Sequence, residues 1–78
     1  ETSKGTLIHV SGSYKITLIS GSMERFEVPG YVHYGTYDVE ATPPGRAAFR
    51  AGSLTAEKGQ DMQVICSEAI RGCRIREW

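Results

Sequence analysis

The stretch Val28-Pro29-Gly30-Tyr31-Val32-His33-Tyr34-Gly35-Thr36-Tyr37-Asp38-Val39-Glu40-Ala41 decides the fold class. It reads as a turn, a short exposed crossing, a second turn and then a strand. Pro29 presets φ for the first central position of a turn, and Gly30 accepts the positive φ that a type II turn needs at the second. Tyr31, His33 and Tyr34 then place three rings in four residues before Gly35 breaks the run. From Thr36 to Thr42 the chain alternates strictly. Tyr37, Val39 and Ala41 fall on one face and Asp38 and Glu40 on the other, the period of a half-buried strand. Pro43-Pro44-Gly45 ends it, because proline has no amide hydrogen to give to a ladder.

The same punctuation extends in both directions. Upstream, Thr6–Val10 is rich in β-branched residues, and Tyr14, Ile16 and Leu18 alternate with Lys15 and Thr17. Ser11-Gly12-Ser13 and Ser20-Gly21-Ser22 separate these runs at a spacing that fits a meander of short strands. In residues 23–28, Phe26 and Val28 share a buried face, with Arg25 and Glu27 outward. Downstream, residues 46–50 are too short for a stable helix between Gly45 and Gly52, and read as an irregular edge strand. Ser53–Thr55 forms another short strand, followed by a turn at Glu57-Lys58-Gly59-Gln60. Asp61–Cys66 is a strand with Met62, Val64 and Cys66 on one face; residues 67–72 are a loop. Cys73–Arg76 is the last strand, with Cys73 and Ile75 facing the core. Residues 1–5 are polar and expected to fray. The reading is one all-β domain over residues 1–78. It takes the form of a small antiparallel β-sandwich or a partly rolled barrel of about 6–8 short strands.

Cys66 closes one strand on its core face and Cys73 opens the next on its core face. A hairpin brings the pair within reach of a disulfide, whose short loop stabilises by roughly 2–3 kcal/mol on the chain-entropy model. For 78 residues such a staple matters, because a single core of this size is marginal. A disulfide implies an oxidising compartment, periplasmic or secreted, and a chain that begins at Glu1 instead of Met fits a removed leader or a trimmed end.

Residues 28–45, with Gly-x-Tyr followed by an alternating strand, resemble the core of PEGA domains and related carboxypeptidase-regulatory-like β-sandwiches. Lys58-Gly59-Gln60-Asp61-Met62-Gln63-Val64 resembles the later glycine-led strand of those families. The likeness spans roughly residues 28–66. The Gly-x-x-Pro run expected earlier is missing, and the Cys66/Cys73 hairpin is extra. The resemblance implies a non-catalytic, usually extracytoplasmic module with no active site to carry over. Independently, Tyr37 near the start of its strand has the position of a tyrosine corner, bonding back to upstream backbone.

Composition limits the function. Nine basic and nine acidic residues give a formal net charge of zero, which counts against a whole-domain nucleic-acid binder and against docking on anionic membranes. No apolar run approaches a membrane span. The ligand-type residues His9, His33, Cys66 and Cys73 lack zinc spacing, so no metal or other cofactor is expected. Asp38 and Glu40 lie about 7 Å apart along a strand, as a glycosidase pair does, but their alternation with buried residues is that of a solvated face. Serines sit in glycine turns, not in a nucleophile elbow. An enzyme, or a site for a small-molecule substrate, is therefore not expected. Binding by exposed rings remains: Tyr31, His33, Tyr34 and Trp78 are the candidate interface to a protein partner, with self-association through an edge strand compatible. The alternative is an OB-like domain that stacks single-stranded nucleic acid on Tyr31, His33, Tyr34 and Tyr14. In that reading Arg71, Arg74 and Arg76 form a basic stripe, although rings and arginines lie in different segments.

Overall fold

The computed structural model describes residues 5–70 and 72–78. The expectation of fraying over residues 1–4, and the place of Arg71 in the basic stripe, lie outside them; at Gly5 the expectation fails, because Gly5 begins the first strand and pairs with His33. Eight strands form: β1 (Gly5–Ser11), β2 (Lys15–Ser20), β3 (Arg25–Val28), β4 (Gly30–His33), β5 (Gly35–Thr42), β6 (Phe49–Ala56), β7 (Met62–Ser67) and β8 (Gly72–Glu77). They make two four-stranded sheets, ordered β4-β1-β7-β8 (sheet A) and β3-β2-β5-β6 (sheet B). Of the two architectures expected, the sandwich is the one that forms; the sheets do not close into a barrel. Every ladder is antiparallel except β1 with β7, which is parallel.

The core lies where alternation puts it. Ile8 and Val64 from sheet A meet Ile16, Leu18 and Val39 from sheet B, all at most 1 % exposed. Tyr37 and Ala41 join them from β5, and Leu54 and Ala56 from β6. One central position departs from the pattern. Thr17 was expected outward and does face away from the core, yet it is buried. The reason is its place on an interior strand, opposite both Glu27 and Glu40. Those two acids are held by Lys15 and Arg25, and the long side chains close over the small threonine.

Several local expectations are corrected. The strands do not run as a meander: β1 and β2 lie in different sheets, so Ser11-Gly12-Ser13 is a crossing and not a hairpin. Gly12 has φ of 100°, and a Cβ there would meet the carbonyl oxygen of Cys66 at 1.9 Å, so only glycine fits. The type II turn at Pro29-Gly30 does not form. The Val28–Pro29 bond is cis and Gly30 has φ of 152°, because the chain must leave sheet B at Val28 and enter sheet A at Gly30 without a hairpin. The two short strands expected over residues 46–50 and 53–55 are one strand, β6, beginning at Phe49. Gly52 does not break it; β6 instead takes up an extra residue at a bulge opposite Val39/Glu40. The loop after β7 is shorter than residues 67–72, since Ser67 and Gly72 pair as the last rung of the β7–β8 ladder.

Two expectations are met closely. Cys66 and Cys73 face each other across the hairpin with Cα atoms 4.0 Å apart and are joined by a disulfide. Tyr37 donates its hydroxyl to the His33 carbonyl at 2.7 Å, four residues upstream, closing the corner where β4 leaves sheet A for β5 in sheet B.

Candidate functional site

The two outer faces of the sandwich differ in chemistry. On sheet B the outward residues are charged and mutually satisfied. Lys15 pairs with Glu27 at 3.2 Å, Arg25 with Glu40, and Arg50 with Asp38 at 2.7 Å. Asp38 and Glu40, the carboxylates with glycosidase-like spacing, are thus each engaged by their own arginine, Asp38 by Arg50 on the adjacent β6 and Glu40 by Arg25 reaching over β2. Thr36 and Thr55 add a hydroxyl contact. This is a solvated face with its charges balanced.

Sheet A presents rings and cations that, among the described residues, form no ion pair. Register fixes which side chains share its outer surface. Tyr31 is opposite Leu7. His9 lines up with Gln63, and Gln63 in turn with Arg76. Ser11 lines up with Ile65, and Ile65 with Arg74. Trp78 donates its backbone N–H to Asp61 at 2.9 Å, extending the same ladder by one rung. Its indole then stacks on the His9 imidazole, ring centroids 3.5 Å apart and 14° from parallel. Nε2 of His9 is buried and, among the described residues, has no hydrogen-bond partner. Tyr31 and Trp78 stay 73 % and 63 % exposed, so both offer ring surface to a partner. Arg74 and Arg76 are exposed and, among the described residues, take part in no ion pair.

Of the four candidate residues, Tyr31, His33 and Trp78 therefore belong to one face. Tyr31 and His33 stand on β4, and Trp78 follows β8 at the opposite edge. Tyr34 lies in the corner between β4 and β5, partly exposed. Trp78 is neither in the core nor bare, because His9 covers one side of it. The sequence presents His9 only as a ligand-type residue; nothing local links residues 9 and 78, so its place under the indole is set by the fold alone. His9 and His33 do not meet: His33 pairs with Gly5, about 13 Å along β1 from His9. Among the described residues no group of three or more His, Cys, Asp or Glu side chains is placed to hold a metal ion. Tyr14, counted among the stacking rings of the nucleic-acid alternative, is buried. Its hydroxyl donates to Glu68 at 2.8 Å, and its ring meets Phe49 edge-on.

Clefts open among the described residues. One, of about 470 Å³, lies at the Tyr14 end between Pro43, Arg46, Phe49 and Glu68, with the Arg46–Glu68 ion pair in its lining. Another, of about 220 Å³, lies between β6 and β8, with Leu54, Met62 and Ile75 at its floor and Glu57 and Glu77 at its rim. Neither contains the rings of sheet A.

The corner tyrosine has a displaced titration. Burial, reinforced by the nearby Glu24 carboxylate, raises the Tyr37 phenol above its usual 10.0 and keeps it a donor to His33. Among the described residues no helix is long and apolar enough to cross a membrane. Comparison with known proteins adds no relative: no family model, no curated protein and no solved structure matches this chain.

Proposed function

We propose that the chain is a non-catalytic module that binds another protein through the outer face of sheet A, in an oxidising compartment outside the cytoplasm. The observation that carries this reading is the contrast between the two faces. Sheet B satisfies its own charges, whereas sheet A gathers Tyr31, Leu7, the His9–Trp78 stack, Arg74 and Arg76 from three strands. Tyrosine, tryptophan and arginine are the residues that protein interfaces favour. The disulfide supports the compartment. The likeness of residues 28–66 to PEGA-type sandwiches supports a binding module, since that family implies no active site.

A photo-crosslinking side chain placed at Tyr31, with a second at Thr36 on the opposite face, tests this in the cells that make the protein. Protein adducts at Tyr31 and not at Thr36 are expected. Equal labelling at both positions, or labelling at Thr36 alone, defeats the reading.

One observation favours a second reading, single-stranded nucleic acid. Rings and arginines that lie far apart in sequence share sheet A. Trp78 is the chain's one tryptophan, so its fluorescence reports binding on that face. Quenching by oligothymidylate that weakens steeply with added salt selects this reading over the first.

A further inference from the structure

The sandwich has four strand edges, on β4, β8, β3 and β6. Three are poor templates for another strand. β3 and β4 are four residues each and are tied to one another through Pro29. β6 is bent by its bulge. β8 is six residues long and regular, and it pairs with β7 along its whole length.

Hydrogen-bond phase shows what its open edge offers. Trp78 N–H donates to the Asp61 carbonyl, so that rung is a hydrogen-bonded pair. The alternation of an antiparallel ladder then turns the backbone groups of Arg76 and Arg74 toward β7. Those of Cys73, Ile75 and Glu77 point to the open edge. Side chains alternate with them. Arg74 and Arg76 stand on the outer face without a counter-charge among the described residues, and Ile75 faces inward over the cleft of about 220 Å³ with Leu54 and Met62.

We infer that β8 is the docking edge for an extended segment of a partner protein that carries acidic side chains at alternate positions with an apolar one between them. This rests on the protein-binding reading above and names the partner's chemistry. An antiparallel ninth strand would exchange backbone bonds with Cys73, Ile75 and Glu77. Its residues opposite Arg74 and Arg76 would occupy non-hydrogen-bonded sites, where Cα atoms come within about 4.5 Å and opposite charges meet. The residue between them would turn inward, opposite Ile75, onto the apolar floor of the cleft. The two arginines also repel a basic strand that would otherwise add to this edge, so the same residues that attract an acidic partner discriminate against a basic one.

The test uses the oxidised full chain and a fluorescent peptide of the pattern threonine-valine-aspartate-valine-aspartate-valine-threonine. A second peptide has lysine for aspartate, and a third carries N-methyl groups on its valines. The aspartate peptide is expected to bind, the lysine peptide to fail, and N-methylation to abolish binding, because it removes the bonds to the edge. Each of Arg74→Ala and Arg76→Ala should weaken binding roughly twofold to fivefold. Arg74→Glu with Arg76→Glu should transfer preference to the lysine peptide. Amide exchange should slow at Cys73, Ile75 and Glu77 in the complex. Equal binding of the N-methylated peptide, unchanged exchange at those three amides, or no binding of the aspartate peptide overturns the inference. If Tyr31 nevertheless crosslinks a protein, the partner uses the sheet face and the binding-module reading survives without the edge.

Discussion

Reduction of the Cys66–Cys73 bridge should lower the melting temperature by more than any single surface change. The two cysteines are seven residues apart in sequence, and the bond acts chiefly by restricting the unfolded chain. For a loop of that length the chain-entropy relation gives a loss of about 8 cal/mol/K, or about 2.4 kcal/mol at 25 °C. A domain of this size has a total stability of roughly 4–12 kcal/mol, so the bridge supplies a fifth or more of it. At about 4–8 °C per kcal/mol, the melting temperature should fall by roughly 10–19 °C. Replacing both residues, Cys66→Ala with Cys73→Ala, should cost more than reduction, because Cys66 is fully buried and the lost sulfur leaves unfilled space. The assay is thermal unfolding by far-ultraviolet circular dichroism with and without reductant, with full alkylation of the reduced, unfolded chain as the check on thiol state. A fall below about 3 °C on complete reduction would refute the entropic account, since the β7–β8 hairpin would then persist in the unfolded ensemble.

Tyr37→Phe removes the corner hydrogen bond to His33 while keeping the ring, and should cost about 1 kcal/mol, read as a melting temperature lower by roughly 4–8 °C. The same variant has a pH signature. With the folded phenol raised above 10.0, the unfolded chain loses this proton first, so native stability falls as pH rises from about 10 toward the folded value. Urea unfolding across that range should show a shallower decline in Tyr37→Phe; identical slopes would mean the phenol titrates alike in both states. Gly12→Ala places a methyl into the Cys66 carbonyl at a positive φ and should cost at least about 2–3 kcal/mol or prevent folding. Gly21→Ala meets open space and serves as the neutral control in the same denaturation series.

Much of the fold was legible because strand alternation is a local property. Tyr37, Val39 and Ala41 share a face whatever lies next to them, and the same holds for Ile16 with Leu18 and for Val64 with Cys66. The disulfide was legible for a related reason: a hairpin joins residues near in sequence, so the facing of Cys66 and Cys73 follows from two adjacent strands. Where the chain changes sheets, local signals misled. Ser11-Gly12-Ser13 and Pro29-Gly30 carry turn residues, yet they are crossings between layers, because glycine and proline serve any sharp change of direction. Gly52 looked like a strand end and is the neighbour of a bulge, since an interruption in alternation does not say whether the strand stops or slips.

The sequence by itself determined an all-β chain, the buried faces of β2, β5 and β7, the staple and the tyrosine corner, for each depends on residues close in the chain or on period alone; the burial of Ile8, Val32 and Leu54 did not follow from it. Tertiary structure alone decided the strand order, the parallel pairing of β1 with β7 and the composition of the two outer faces. Tyr31, His9, Trp78, Arg74 and Arg76 come from three separate segments, and only the long-range register of sheet A makes them neighbours. Register between distant strands is set by how the whole core packs, and no short window of residues contains that information.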